Sequence, residues 1–405
     1  MTANKGDPRA LRTQNRRTIL NHIRRLGPTS RSQLVELTGL SSAGITGITA
    51  ELIQDRLLIE RSIGEAGATG GRRPIYLDID FAAHYAIGIK LREDRMEVVL
   101  TDLSTRVLAH RTEDLTSQNP QDVALQIKNI SKKLYKKARI DPEDVIGIGI
   151  GMTGVIDARH GQAVNAPLMQ WHNVPISQII TAQTGLPVWI DNDVNAFAAA
   201  ERLFGNGKQY GSFLTVAIGR GLGGALVLEG DIYRGRNGGA GEFGHNMVQP
   251  GGRLCSCGRK GCLEAYTAEP GILSIFQEKH PEIENPTIPG VVELAAQGHL
   301  GAREVLENAG RLLGTHLSYL VNTFNPELII MGGEGSQLGP AYFTPLKQAL
   351  RQQAFDGLAD ELQILIVPWD KDDFTPWAQG AASLAVQSAF DTGEVIKAGT
   401  NRQAN

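Results

Sequence analysis

The sequence predicts an α/β protein in which a winged helix-turn-helix precedes a body of two α/β lobes. Three observations carry this. From about residue 81 to 390, strand-length apolar runs alternate with stretches of helical periodicity, the pattern of mixed layers. The first 80 residues read instead as three short helices followed by two strands around a glycine-rich segment. Charge divides the same way: residues 1–80 hold twelve Lys and Arg against eight Asp and Glu, a net of +4, so the rest carries −7 in a chain of net charge −3. The expected divisions are 1–80 for a DNA-binding head, 81–200 for the first lobe, 201–390 for the second lobe with a cysteine-rich loop, and 391–405 for a polar, disordered tail.

At 405 residues the chain exceeds one ordinary domain, and 41% hydrophobic content is ample for more than one core. No apolar run reaches the ~18 residues of a membrane helix, and no secretory signal opens the chain. The three cysteines lie close together, which fits a reducing compartment. A cytoplasmic protein with no membrane insertion is the expectation.

In the head, Ile19, Ile23 and Leu26 recur at helical spacing, and Gly27-Pro28 ends that helix. Ser30-x-x-Gln33 is a capping-box pattern for a second helix through Leu34 and Leu37, closing near Gly39. Ser41 can cap a third helix with Ile45, Ile48 and Leu52 inward. Strands at Leu57–Ser62 and Ile75–Ile79 complete a winged helix-turn-helix. Residues 1–31 contain eight basic side chains and one acidic. Charge alone fits a solvated helical face equally well; position, wing and charge together point to duplex DNA. The outer face of the third helix shows Ser42, Ala43, Thr46, Gly47 and Thr49, which can touch thymine methyls or phosphates but make no bidentate base contact. Part of the specificity is therefore expected from Arg72 and Arg73, beside Gly70-Gly71 on the wing, in an adjacent minor groove. Candidate DNA contacts are Arg31, Ser41, Ser42, Thr46, Thr49, Arg72 and Arg73.

The body's most informative run is GGAGEFGHNMVQPGGRLCSCGRKGCLE, residues 238–264. It holds Cys255, Cys257 and Cys262, with His245 ten residues before the first and Glu242 three before the histidine. Three thiolates and an imidazole suit a closed, structural Zn2+ site. Gly251, Gly252, Gly258 and Gly261 allow the tight bends that such spacing needs. The competing readings are a disulfide, a redox thiol pair or unrelated cysteines. A Cys-x-Cys disulfide is strained and leaves one thiol unpaired, so ligand count and spacing favour Zn2+ with His245, Cys255, Cys257 and Cys262.

GEFGH followed by CSCGRKGCLE resembles the signature of the ROK family of sugar kinases and sugar-responsive repressors, and the likeness runs over nearly the whole chain. It implies an actin-like pair of lobes with the ligand in the cleft between them. It also implies that Glu242 and Glu264 contact sugar hydroxyls and that His245 lies against the sugar. WIDNDVN, residues 189–195, places a polar cluster between a strand and a helix, where open α/β sheets bind ligands. Asn192 and Asp193 there match the family's sugar-gripping pair, with Asp193 the base in the kinases; capping of the following helix is the plainer alternative. Gly151–Gly154 resembles a sugar-edge loop, although Leu168 stands where the kinases usually have asparagine.

The nucleotide side departs further. The kinases of the family have a Gly-Gly-Thr-rich turn preceded by an aspartate. Here the turn after Tyr85–Leu91 is Arg92-Glu93-Asp94, whose acidic, bulky side chains oppose a triphosphate. IGRGLGGA at 218–225 keeps its glycines but carries Arg220, and IIMGGEG at 329–335 resembles the adenosine-side motif. The expected function is a sugar-responsive repressor of carbohydrate genes that binds a two-fold operator as a homodimer or homotetramer and catalyses nothing. An ATP-dependent ROK sugar kinase is the rival, and control by a protein partner, as in similar repressors held by a transporter subunit, is a third possibility.

Overall fold

The structure, a computed structural model, describes residues 8–62, 75–370 and 373–395. The chain forms two compact units, Met1–Phe204 with Trp377–Asn405, and Gly205–Pro376.

The head comprises α1 (Pro8–Leu26), β1 (Thr29–Ser30), α2 (Arg31–Thr38), α3 (Ser42–Gln54), β2 (Leu58–Ser62) and β3 (Ile75–Ile79). The sequence signals act locally as read. The Ser30/Gln33 capping box opens α2, Gly39 closes it at φ 69°, and Ser41 Oγ accepts the Gly44 amide at 3.1 Å. The strands are ordered β1-β3-β2, and the wing segment between β2 and β3, including Arg72 and Arg73, lies outside the described residues. Ile19, Leu20 and Ile23 pack with Leu34, Ile45, Ile48, Leu52 and Leu77. That core does not stop at residue 80. It continues through Ala86, Val99, Ile146 and Leu203, so the head is built onto the first lobe.

The first lobe follows as β4 (Tyr85–Leu91), β5 (Arg95–Asp102), β6 (Val107–Asp114), α4 (Pro120–Ala138), β7 (Val145–Met152), β8 (Val155–Asp157), β9 (Gln162–Ala166), β10 (Trp171–Val174), α5 (Ile176–Thr184), β11 (Val188–Asn192) and α6 (Asp193–Leu203). The second unit holds β12 (Phe213–Ile218), β13 (Leu222–Leu228), β14 (Asp231–Tyr233), α7 (Glu264–Thr267), α8 (Glu269–Lys279), α9 (Ile288–Ala296), α10 (Leu300–Phe324), β15 (Leu328–Gly332), α11 (Pro340–Gln353) and β16 (Gln363–Ile366). Each unit has one five-stranded sheet, β11-β7-β4-β5-β6 and β14-β13-β12-β15-β16. In both, the first strand pairs antiparallel with the second and parallel with the fourth, a repeat of topology that no sequence repeat announces. Parallel strands buried on both faces need the near-continuous apolar runs seen at β7 and β15.

The last helix, α12 (Thr375–Thr392), corrects the expected second lobe of 201–390, because from Trp377 onward it belongs to the first unit. A Cβ at Gly88 would lie 2.0 Å from the Ala378 carbonyl oxygen, and one at Gly149 1.8 Å from that of Ala381. Only glycine admits so close a helix, and Ala378, Ala381, Ala382 and Ala385 supply the matching flat face. Residues 391–395, expected within the tail, are instead described and make contacts with the rest of the unit. Arg202 pairs with Asp391 at 3.1 Å, and Arg16 Nε donates to the Gly393 carbonyl at 2.8 Å; residues 396–405 lie outside the described residues. Among the described residues no helix is long and apolar enough to cross a membrane.

Candidate functional site

The cysteine loop is shaped by backbone first. Isolated bridges Met247↔Cys262 and Leu254↔Lys260 draw the chain back on itself. Gly258, at φ 83°, turns it so that its amide reaches the Cys255 carbonyl at 3.0 Å. Ligand atoms of His245, Cys255, Cys257 and Cys262 thereby lie within 4.8 Å of one another. Cys257 and Cys262 sulfurs are 3.7 Å apart, and Cys255 Sγ is 3.5 Å from His245 Nδ1. A tetrahedral ion with metal–sulfur bonds of about 2.3 Å and a metal–nitrogen bond of about 2.0 Å requires separations of about 3.8 and about 3.5 Å. The cluster therefore fits a metal ion. The 3.7 Å sulfur separation also answers the disulfide reading, since all three cysteines are free. Burial, aided by Glu264, pushes the Cys255 thiol up to about 12; against burial, hydrogen bonds from Arg259 bring Cys257 down to about 7.

His245 Nε2 stands 3.7 Å from the Glu242 carboxylate while Nδ1 points at the cluster, an arrangement that orients a ligating imidazole from behind. Glu264 is buried. Its Oε2 accepts the Leu222 amide at 3.0 Å, and its Oε1 accepts the Ser256 hydroxyl at 2.6 Å and the Cys255 thiol at 3.2 Å. The cluster and both glutamates thus form one continuous network within the second unit.

In the first unit, Asn192 does cap α6, its Oδ1 accepting the Val194 amide at 2.9 Å while its amide group reaches the Gly154 carbonyl at 3.2 Å. Asp191, fully buried, is held by the Asn192 amide and by Asn195, each at 2.8 Å. Asp193 is engaged differently, by partners that residue types and spacing did not single out. Its Oδ2 takes the Lys90 ammonium and the Thr153 hydroxyl, the latter at 3.1 Å, and Trp377 of α12 lies under the ammonium at 4.7 Å. The available signal was a lysine inside the otherwise apolar strand YAIGIKL. The Arg92-Glu93-Asp94 turn closes the β4–β5 hairpin, with Asp94 held by Arg92 at 3.3 Å and Arg95 at 3.1 Å. Leu168 is nearly half exposed.

On the head, Ser41, Ser42 and Thr46 are exposed. Thr49, expected on the same outer face, is fully buried; its hydroxyl donates to the Thr46 carbonyl and accepts from Arg31 Nε, each at 3.2 Å, which removes it from the candidate DNA contacts. It lies one helical turn before the core position Leu52, on the inward side of α3. Arg31 also pairs with Glu60 at 2.7 Å.

With this geometry in hand the chain can be placed. It belongs to the ROK family, which it matches over residues 86–388. It is 29% identical over 362 residues to the xylose repressor of Caldicellulosiruptor bescii, covering 86% of this chain and 90% of that one. It is 28% identical over 358 residues to the DNA-binding transcriptional dual regulator NagC of Escherichia coli K12, with 87% and 88% covered. Among solved structures, a ROK family transcriptional regulator, homologue of the E. coli MLC protein, aligns at TM-score 0.83 and 28% identity over 94% of this chain and 97% of that one. A ROK family glucokinase from Streptomyces griseus, solved with glucose and AMPPNP, aligns at TM-score 0.63 and 26% identity over 75% of this chain and 99% of the kinase.

Proposed function

We propose that this chain is a sugar-responsive, DNA-binding transcriptional repressor. The observation that carries the reading is one of coverage. The regulator structure accounts for 94% of the chain, whereas the glucokinase is used up at 99% of its own length while matching 75%. The family match begins at residue 86, after helices and strands in the order of a winged helix-turn-helix, a fold whose third helix enters the DNA major groove. Relatives named for xylose and for N-acetylglucosamine make a monosaccharide or its derivative the effector class.

In this reading Asn192, Asp193, Glu242, His245 and Glu264 bind sugar hydroxyls, and Arg31, Ser41, Ser42, Thr46, Arg72 and Arg73 approach DNA. The metal is zinc, which the three-thiolate, one-imidazole donor set favours over hard cations. A closed site of this kind supplies rigidity. It holds the loop on which His245 and Glu264 stand. The protein works in the cytoplasm as a homodimer or homotetramer, matching a two-fold operator. It is not a kinase, because Glu93 and Asp94 occupy the turn that must cradle phosphates. Calorimetric titration with D-xylose, D-glucose and N-acetyl-D-glucosamine, beside an ATP-consumption assay on the same sugars, tests this. Binding without turnover supports it, and brisk ATP consumption would replace it with the kinase reading.

A further inference from the structure

We infer that Lys90 is a specificity-determining residue of the effector site, and that one hydroxyl of the bound sugar bridges its ammonium and Asp193 without a divalent cation. This rests on the sugar-binding reading above. Lys90 is the only buried lysine among the described residues. Its side chain is 8% exposed, and that of Asp193 13%. A buried charge near the end of an otherwise apolar strand persists when it is paired, and here the partner is the first residue of α6.

The donors and acceptors then leave a defined vacancy in bonding capacity. An ammonium has three N–H groups. Asp193 Oδ2 takes one, the Trp377 ring faces the cation at 4.7 Å, and no other acceptor meets Lys90 among the described residues. On Asp193, Oδ2 receives both Lys90 and Thr153, while Oδ1 has no hydrogen-bond donor among the described residues. A free N–H beside a free carboxylate oxygen is complementary to a single hydroxyl, which donates to Oδ1 and accepts from Nζ. A deoxy or methylated position fails one or both contacts. A divalent cation on this carboxylate would lie beside the ammonium charge that Oδ2 already holds, and like-charge repulsion opposes it.

The test uses the zinc-loaded full chain and titrates D-xylose, D-glucose and N-acetyl-D-glucosamine, with and without added magnesium, followed by the mono-deoxy analogues of whichever binds. The expected result is magnesium-independent binding that Lys90→Met weakens by roughly 10- to 100-fold, the range of hydrogen bonds to charged groups. One deoxy analogue should bind wild type and Lys90→Met about equally, a coupling that a purely structural role would not produce. Should Lys90→Met unfold, the double variant Lys90→Met/Asp193→Leu replaces the pair with apolar side chains. It should keep its zinc and its fold while losing the discrimination between parent sugar and deoxy analogue. Sugar binding that Lys90→Met leaves unchanged, or that requires magnesium, overturns this inference alone. No binding of any sugar by the wild type overturns the sugar reading and this inference with it.

Discussion

Arg24 of α1 donates to the carbonyl oxygen of Leu203, the last residue of the helix whose first residue is Asp193. A second link runs beside it: Asn21 donates to the Phe390 carbonyl of α12 at 3.0 Å, and the Arg24 guanidinium lies 5.8 Å from the Phe390 ring centre. Burial, with Arg25 and Arg202 nearby, brings Arg24 down to about 10, so it stays charged at neutral pH. Thus α6, about 16 Å long at its eleven residues, ends on the N-terminal head proposed to bind DNA and begins at a proposed sugar contact, all within one compact unit.

Arg24→Gln should therefore separate binding from response. The variant is expected to bind sugar and operator with affinities close to wild type. The sugar-induced change in operator affinity, typically about 5- to 150-fold in coupled systems, should shrink toward none. Operator titrations with and without sugar measure it directly. An undiminished response would remove α6 from the coupling.

Arg16 anchors the head by a different route. Its buried guanidinium reaches Glu51 at 3.1 Å, Asp55, and the Gly393 carbonyl at 2.8 Å. Since Glu51 and Asp55 keep access to water, Arg16→Met should cost about 2 kcal/mol rather than the larger penalty of a fully buried pair. Urea denaturation followed by tryptophan fluorescence should show an earlier midpoint.

Cys257→Ser removes the most exposed thiolate of the cluster. Zinc content should fall from about one ion per chain to far less, because a serine hydroxyl is a poor substitute for thiolate. Since Glu264 is hydrogen-bonded to Cys255 and Ser256, the sugar response should be lost with the metal. Normal induction by zinc-free protein would break that link.

For the wing, Arg72→Ala with Arg73→Ala should weaken operator binding strongly at physiological salt. If both arginines neutralise phosphate, the slope of log affinity against log salt should fall by about 2. Unchanged affinity and slope would move recognition elsewhere.

Much of this was legible in the residues because the signals are local. Ser30, Gln33, Gly39 and Ser41 specify caps within one helical turn, and the three cysteines with His245 specify a donor set by type and spacing. What was not legible depends on contacts between distant segments. Nothing near Gly88 or Gly149 says that α12 will press on them from more than 200 residues away. Thr49 is the reverse case: it stands four residues after Ile45 and three before Leu52, so helical spacing already places it inward, against the expectation of an outer-face contact. Lys90 pairs with Asp193 across 103 positions, so spacing could not reveal it.

The most direct test is fluorescence anisotropy of a duplex carrying the upstream region of this protein's own gene, titrated with zinc-loaded full chain at fixed salt. The account predicts binding at least ~1,000-fold tighter than to a random duplex, shifted by ~10-fold or more by D-xylose, D-glucose or N-acetyl-D-glucosamine. Equal affinity for both duplexes, indifferent to every sugar, would contradict it.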